Sequence, residues 1–296
     1  MDLDALRLFV DLAESKSFSK TAGKHFISQS AVSQRVRALE LELGHRLVER
    51  GTGRPGARFT EAGERTLSHA REILTRADQL RRDLMDMTSE VGGALNVATV
   101  YSIGLHALSP SVSTFLRQYP HVNLHLEYLR TDRIYEALLA GTIDCGIVAC
   151  PRERAGVSVV PLRDERMVVI ARSDHELLQE TQVSPTWLQN RNFVAFDPDI
   201  PTRHLIDAYL REHGVGVNVR HAFDNIETIK RVVEIGLGIA IVPEPTIERE
   251  VRDGTLIARR LTGDALTRPT GVLLPRGRSQ SRALEQFLSA LLPDQT

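Results

Sequence analysis

The stretch Ser28–Leu43, SQSAVSQRVRALELEL, narrows the possible folds of this chain more than any other. Val32, Val36, Leu39 and Leu43 stand at steps of four, three and four, one apolar stripe of a 3.6-residue helix, so this side is expected to pack inward. The opposite side carries Gln29, Ser30, Ser33, Gln34 and Arg37, behind an N-cap-type Ser28 and ahead of a stop at Gly44. Short and forked hydrogen-bonding side chains of this kind suit base-pair edges and the phosphates beside them. An ordinary solvated helix face has the same composition, so the helix taken alone leaves both readings open.

The neighbouring segments add context. Leu3 to Glu14 reads as a first helix with Leu3, Leu6, Phe9, Val10 and Ala13 on one side, and Ser19 is expected to open a short second helix through His25. A turn at Phe26 and Ile27 then leads into the Ser28 helix, the order of helix-turn-helix DNA readers. Arg46–Arg50 and Arg58–Thr60 read as short strands around the Gly/Pro turn 51–57, a wing whose tip carries Arg54. Arg54 is placed to touch phosphate or enter a minor groove, an exposed hairpin with one arginine being the alternative. The net charge of -1 conceals an asymmetry. Lys16 to Arg58 holds nine Lys or Arg against three acids, whereas the rest of the chain has 28 basic and 35 acidic residues. A basic segment around a polar helix face is the electrostatic footprint of a polyanion binder.

The Ala5-Leu6-Arg7-Leu8-Phe9 opening, Ser17-Phe18-Ser19 with Ala22, Ser28-Gln29-Ser30-Ala31-Val32-Ser33, Leu39-Glu40, Leu43-Gly44, Leu47, Glu49-Arg50 and Thr60-Glu61-Ala62-Gly63-Glu64 together resemble the N-terminal domain of LysR-type transcriptional regulators. The similarity can be followed over the whole chain. Gln34-Arg35 stands where many members have Arg then Gln, Ala38 replaces a frequent basic residue, and Val48 sits where Phe is usual. These departures bear on the operator sequence, since the inward stripe is intact. The resemblance implies an α/β fold in three parts: a winged helix-turn-helix DNA-binding domain over residues 1–60, a linker and dimerisation helix over 61–91, and a two-lobed α/β effector-binding domain over 92–296. Lobe I would take about 92–162 and 268–296, and lobe II about 163–267.

In the expected linker helix, capped by Thr60, Ile73, Leu80 and Met87 recur every seven residues, as do Ala70, Ala77 and Leu84. Interleaved sevens make a coiled-coil seam for a second copy of the chain, a homodimer or homotetramer; docking onto its own chain is the alternative.

After Val91-Gly92-Gly93, strand patterns (94–100, 122–128, 143–149) alternate with helix patterns (103–119, 132–140 with Gly141 as cap), which predicts a parallel sheet. The pattern restarts after Pro161, with strands at 167–171, 193–196, 217–222 and 239–242 and helices at 185–188, 203–213 and 226–235. Strand 270–274 and helix 281–292 are expected to return to the first lobe. Two such lobes with two crossovers resemble periplasmic solute-binding proteins, which close on ligands by hinge motion.

Ligands in open α/β sheets lie outside the carboxyl ends of strands. By similarity to the family, Ser102, Thr202 and Asn225 are the leading effector contacts, with Thr99 and Thr131 behind them; each is equally a competent N-cap for its own helix. A small anion, a carboxylate or phosphate metabolite, is the expected ligand. The stretches 222–230 and 199–203 are similar to the subgroup that governs carbon fixation.

Other classes find little support. Cys145 and Cys150 without a second pair or nearby His are not a zinc pattern, and read as packing residues in a reducing cytoplasm. His121 and His125, on a strand, read as surface residues. No signal peptide, membrane span, phosphate loop, nucleophile elbow or paired catalytic carboxylate is seen, and Gly236-Leu237-Gly238 follows a helix instead of opening one. No cofactor or metal is expected, and an enzyme ranks behind a cytoplasmic small-molecule binding module, itself the alternative to a DNA-binding regulator.

Overall fold

The computed structural model describes residues 2–49, 56–85 and 91–292. The chain divides into two compact units, Met1–Met87 and Thr88–Thr296. In the first, α1 (Leu3–Ser15), α2 (Phe18–Lys24) and α3 (Gln29–Leu43) precede an antiparallel pair, β1 (Val48–Glu49) with β2 (Arg58–Phe59), and then α4 (Glu61–Met85). Side-chain oxygens set the starts: Asp2 accepts from the Ala5 amide at 2.6 Å, Ser28 from Ala31 at 3.2 Å and Thr60 from Gly63 at 3.0 Å. Helix α2 opens on Ser17, not Ser19. Ser17 has the extended backbone that an N-cap needs and accepts from the Lys20 amide, while Ser19 already lies inside the helix.

Val32, Val36 and Leu39 pack into a core with Leu6, Phe9, Leu12, Leu47, Leu67 and Leu74. Leu43 is the exception to the expected stripe, being 37% exposed beside the left-handed Gly44 that ends α3. The linker seam also differs from expectation. Ala70 is buried in its own domain's core with Leu67 and Leu74, because the first turns of α4 pack on the winged domain. Ile73, Leu80 and Leu84 are exposed, and Met87 lies outside the described residues.

The second unit is built from β3 (Gly93–Thr99), α5 (Ser109–Gln118), β4 (Val122–Tyr128), α6 (Thr131–Ala140), β5 (Cys145–Ala149), β6 (Val157–Arg172), β7 (Gln182–Val183), β8 (Asn192–Phe196), α7 (Pro201–Glu212), β9 (Asn218–Phe223), α8 (Ile226–Glu234), β10 (Ala240–Pro243), α9 (Glu248–Arg252), β11 (Leu256–Leu261), β12 (Thr267–Pro275) and α10 (Arg282–Leu291). Lobe I has the order β4-β3-β5-β12-β6, its first three strands parallel. In lobe II the far half of β6 pairs antiparallel with β10 and β11, and the parallel pair β8–β9 joins β10 through a bridge between Phe193 and Ile239.

Both lobes therefore hang on β6, a strand of 16 residues, and on its antiparallel partner β12. The sequence pattern suggests a break at Pro161, and the structure shows continuous strand. A register shift between Thr270 and Gly271 of β12 falls opposite Pro161, so the missing N–H is absorbed at a bulge. The single helix expected over 103–119 is interrupted for a similar reason. A π-helical turn at Ile103–Ala107 ends at Leu108, and α5 begins afresh around Pro110, which fits only a first helical turn.

Candidate functional site

On α3 the exposed residues include Gln29, Ser30, Gln34, Arg35 and Arg37, opposite the buried Val32, Val36 and Leu39. Of the side chains expected to read DNA, Ser28 serves its own helix as cap and pairs with Ser30 at 2.8 Å, and Ser33 is half-buried. Arg54 lies outside the described residues. Glu40 is structural: its Oε1 accepts from the amides of Leu47 and Val48, at 2.8 and 3.1 Å, which holds the first wing strand against α3. Phe26, expected in the turn before α3, is found there 96% exposed and held at φ 54°.

The second site lies between the lobes, at the carboxyl ends of β3, β4 and β5 on one side and β8 and β9 on the other. A cavity of about 50 Å³ is lined by Ser102, Thr131, Thr202 and Arg268, with Arg130 and Asp224 also in its wall. Arg268 is the centre. Its side chain is 1% exposed, and its Nε and one terminal nitrogen donate to Glu165, 2% exposed, directly opposite in the β12–β6 register. The other terminal nitrogen donates to Ser102 Oγ of lobe I at 3.1 Å and Thr202 Oγ1 of lobe II at 3.4 Å. One guanidinium on a crossover strand thus ties the two lobes together.

Arg130 makes a second tie at the wall. It pairs with Asp199, and lies 3.8 Å from Asp197 and 3.5 Å from Asp224, all three on lobe II. Helices α6 and α7 both begin here without a side-chain cap; in α7 Pro201 has no N–H and the Arg203 amide donates to the Ile200 carbonyl at 2.9 Å. Tyr101 stacks on Tyr128, ring centres 5.3 Å apart, with Tyr101 lining the cavity.

Of the expected effector residues, the structure brings Ser102, Thr131 and Thr202 to this cavity. Thr99 and Asn225 do other work. Thr99 is fully buried and donates to the Ile147 carbonyl at 3.1 Å, and Asn225 caps α8 by accepting from the Glu227 amide at 2.8 Å. Arg268, Glu165 and Arg130 were missed in the sequence because their partners are remote along the chain. Glu165 and Arg268 stand 103 positions apart, and only the strand register pairs them.

A third link joins His106 of lobe I to Glu227 of lobe II at 2.8 Å. Glu227 also meets the buried Lys230 at 2.9 Å, and Lys230 donates to Glu250 and the Thr246 carbonyl. Burial works to raise the Glu227 pKa, but the hydrogen bonds from Lys230 and His106 outweigh it and hold the carboxyl below its ordinary value of 4.5. A depressed carboxyl stabilises the fold above that ordinary value and loses the contribution as pH falls through the depressed one. Glu227→Gln is therefore expected to be less stable than the native chain near neutrality, with the two converging in acid. Urea unfolding of both at a series of pH values checks this, and a gap that widens toward acid would contradict it.

Among the described residues, no group of His, Cys, Asp and Glu side chains could hold a metal ion, and no helix is long and apolar enough to cross a membrane. Cys145 and Cys150 are free thiols, Cys145 fully buried, its thiol pKa pushed well up by burial.

Comparison with known proteins bears on both sites. Residues 88–295 match the profile of the LysR substrate binding domain, and residues 3–64 that of the bacterial regulatory helix-turn-helix protein, lysR family. A probable RuBisCO transcriptional regulator of Synechocystis is 29% identical over 98% of this chain and 86% of its own. Crystalline full-length CbnR complexed with its target DNA superimposes with a TM-score of 0.73 at 21% identity, covering 98% of this chain and 99% of that one. The regulatory domain of Synechocystis CcmR in complex with 2-PG gives 0.63 at 24% identity, over 68% of this chain and 96% of that domain.

Proposed function

We propose, for a chain that belongs to the LysR family of transcriptional regulators, that α3 reads the operator and that the cleft holding Arg268 senses a small anionic metabolite. The exposed apolar residues of α4, Ile73, Leu80 and Leu84, are the surface offered to a second copy, so that two recognition helices address two half-sites. The protein acts by binding alone, in the cytoplasm, and its relatives' names point to carbon-fixation genes as targets.

The observation that carries the effector reading is Arg268, hydrogen-bonded at once to a hydroxyl of each lobe. Glu165 balances its charge, the uncapped start of α6 adds positive potential, and Arg130 is held by its three aspartates until the lobes part. An anion seated between Ser102 and Thr202 accepts from their hydroxyls, and 2-PG, the ligand of the CcmR domain, is an anion of this class. A cavity of about 50 Å³ has room for roughly three or four waters at ~15 Å³ each, so a phosphate-bearing metabolite enters only as the lobes part. Parting breaks the Arg130–aspartate contacts, and the ligand's own charge replaces those carboxylates. Rotation about β6 and β12 then carries the change through the sheet that both lobes share.

Titration calorimetry of the full-length protein with 2-phosphoglycolate tests this. Thr202→Val, which removes a hydroxyl and keeps the volume, is expected to weaken binding by roughly 10- to 150-fold, the range for hydrogen bonds to charged groups. Tight binding of only neutral or cationic compounds would overturn the reading.

A further inference from the structure

Beyond the cleft wall lies a separate cavity of about 230 Å³, and Arg130, Thr131, Ile200 and Pro201 line both. Its remaining lining includes Arg152, Arg154, His204, Asp132 and Cys150. We propose that this vestibule is a second anion site, selective for a phosphate-type oxyanion and distinct from the Arg268 cleft.

Pre-positioned arginines carry the argument. Tyr135, buried on α6, receives a hydrogen bond from the Arg152 amide at 2.8 Å and donates to the Arg152 carbonyl at 2.6 Å, fastening the loop after β5. The guanidinium of Arg154 lies over the face of the same ring, 4.1 Å from its centre. One aromatic side chain therefore fixes the backbone of one arginine and the head group of the next. Neither Arg152 nor Arg154 has a carboxylate partner among the described residues, unlike Arg130, which is held by Asp199.

The charge balance points the same way. With Asp199 engaged by Arg130, the vestibule sets two guanidiniums against the one unengaged carboxylate of Asp132, with the His204 ring also in its lining. Helix α6 starts at Thr131 without a side-chain cap, so its first-turn N–H groups remain for an acceptor. A tetrahedral oxyanion can take the fork of one arginine and the amides of the helix start together, a match a single carboxylate meets less fully. Cys150 lies between the two sites, near enough to Arg152 and Arg268 for both charges to act on its thiol. An anion here would also pull on Arg130, whose contacts close the cleft, so occupancy of the vestibule should alter effector affinity.

The experiment uses full-length protein, inorganic phosphate as probe, and two variants: Arg152→Gln/Arg154→Gln at exposed positions and, for the cleft, Thr202→Val, which replaces a buried hydroxyl by a methyl of similar volume. Phosphate binding by the native chain that falls at least tenfold in the arginine variant and persists in Thr202→Val supports the vestibule. Equal binding by native and arginine-variant protein, or loss of phosphate binding in Thr202→Val alone, overturns it. No phosphate binding by the native chain at millimolar concentration overturns it as well. The cleft reading is judged separately, by 2-phosphoglycolate binding to the arginine variant.

Discussion

Replacing Arg268 by methionine is expected to destabilise the effector unit by about 3–5 kcal/mol, because Glu165 is left as an uncompensated buried charge. The guanidinium and the carboxylate are 1% and 2% exposed, so water does not screen the survivor. Two hydroxyls lose their donor at the same time, those of Ser102 and Thr202. Removing both charges together, in Arg268→Met/Glu165→Leu, should recover most of this loss, since apolar replacement of a complete buried pair is often neutral or stabilising. The double variant therefore separates stability from sensing: it folds, yet 2-phosphoglycolate binding is lost. Denaturant unfolding followed by an effector-unit probe reads the first property and calorimetry the second. A cost below about 1 kcal/mol for the single variant, the range of solvent-exposed pairs, would show that the pair is not buried as described.

This pair is assembled only by folding, unlike features that the chain displays locally. The α3 stripe, its Ser28 cap and its Gly44 stop are local, and period and capping chemistry expose them directly. So is α6, ended by the left-handed Gly141. Ser102 and Thr202 were legible because each stands where a strand pattern gives way to a helix pattern. Arg268 and Glu165 are single charges inside strands, and their meaning depends on a register set by residues far away. Lys230 is the same kind of case, a buried ammonium on α8 whose partners Thr246 and Glu250 belong to other elements. β11 was overlooked because Arg259 and Arg260 interrupt its apolar run, though Arg259 donates to the Glu180 backbone carbonyl and Arg260 to the Glu244 carboxylate. Pro161 misled in the opposite direction, since a bulge at the adjoining Leu162 turned a strand breaker into a tolerated residue.

On the DNA side, Gln29→Ala and Arg37→Ala are each expected to weaken operator binding by roughly 5- to 150-fold, the span of about 1–3 kcal/mol for a good bidentate base contact. Both side chains are exposed on α3, and neither makes a hydrogen bond within the winged domain among the described residues, so the fold should be unaffected. The alternative roles of these positions lead to different salt behaviour. A base-edge contact lowers affinity for the cognate site and leaves the slope of log affinity against log salt unchanged, whereas loss of a phosphate contact weakens binding to all sequences and reduces that slope by about 1. Gln29, at the first turn of α3, carries no charge and is expected to follow the first pattern. Arg37, two turns further along, is expected to show which of the two it serves. Mobility shifts on operator and scrambled duplexes across a salt series, with sedimentation to confirm an unchanged assembly state, provide the measurement. Full affinity in both variants would mean that the polar side of α3 faces solvent in the complex, and recognition would then have to be sought in the turn at Phe26 or in the wing.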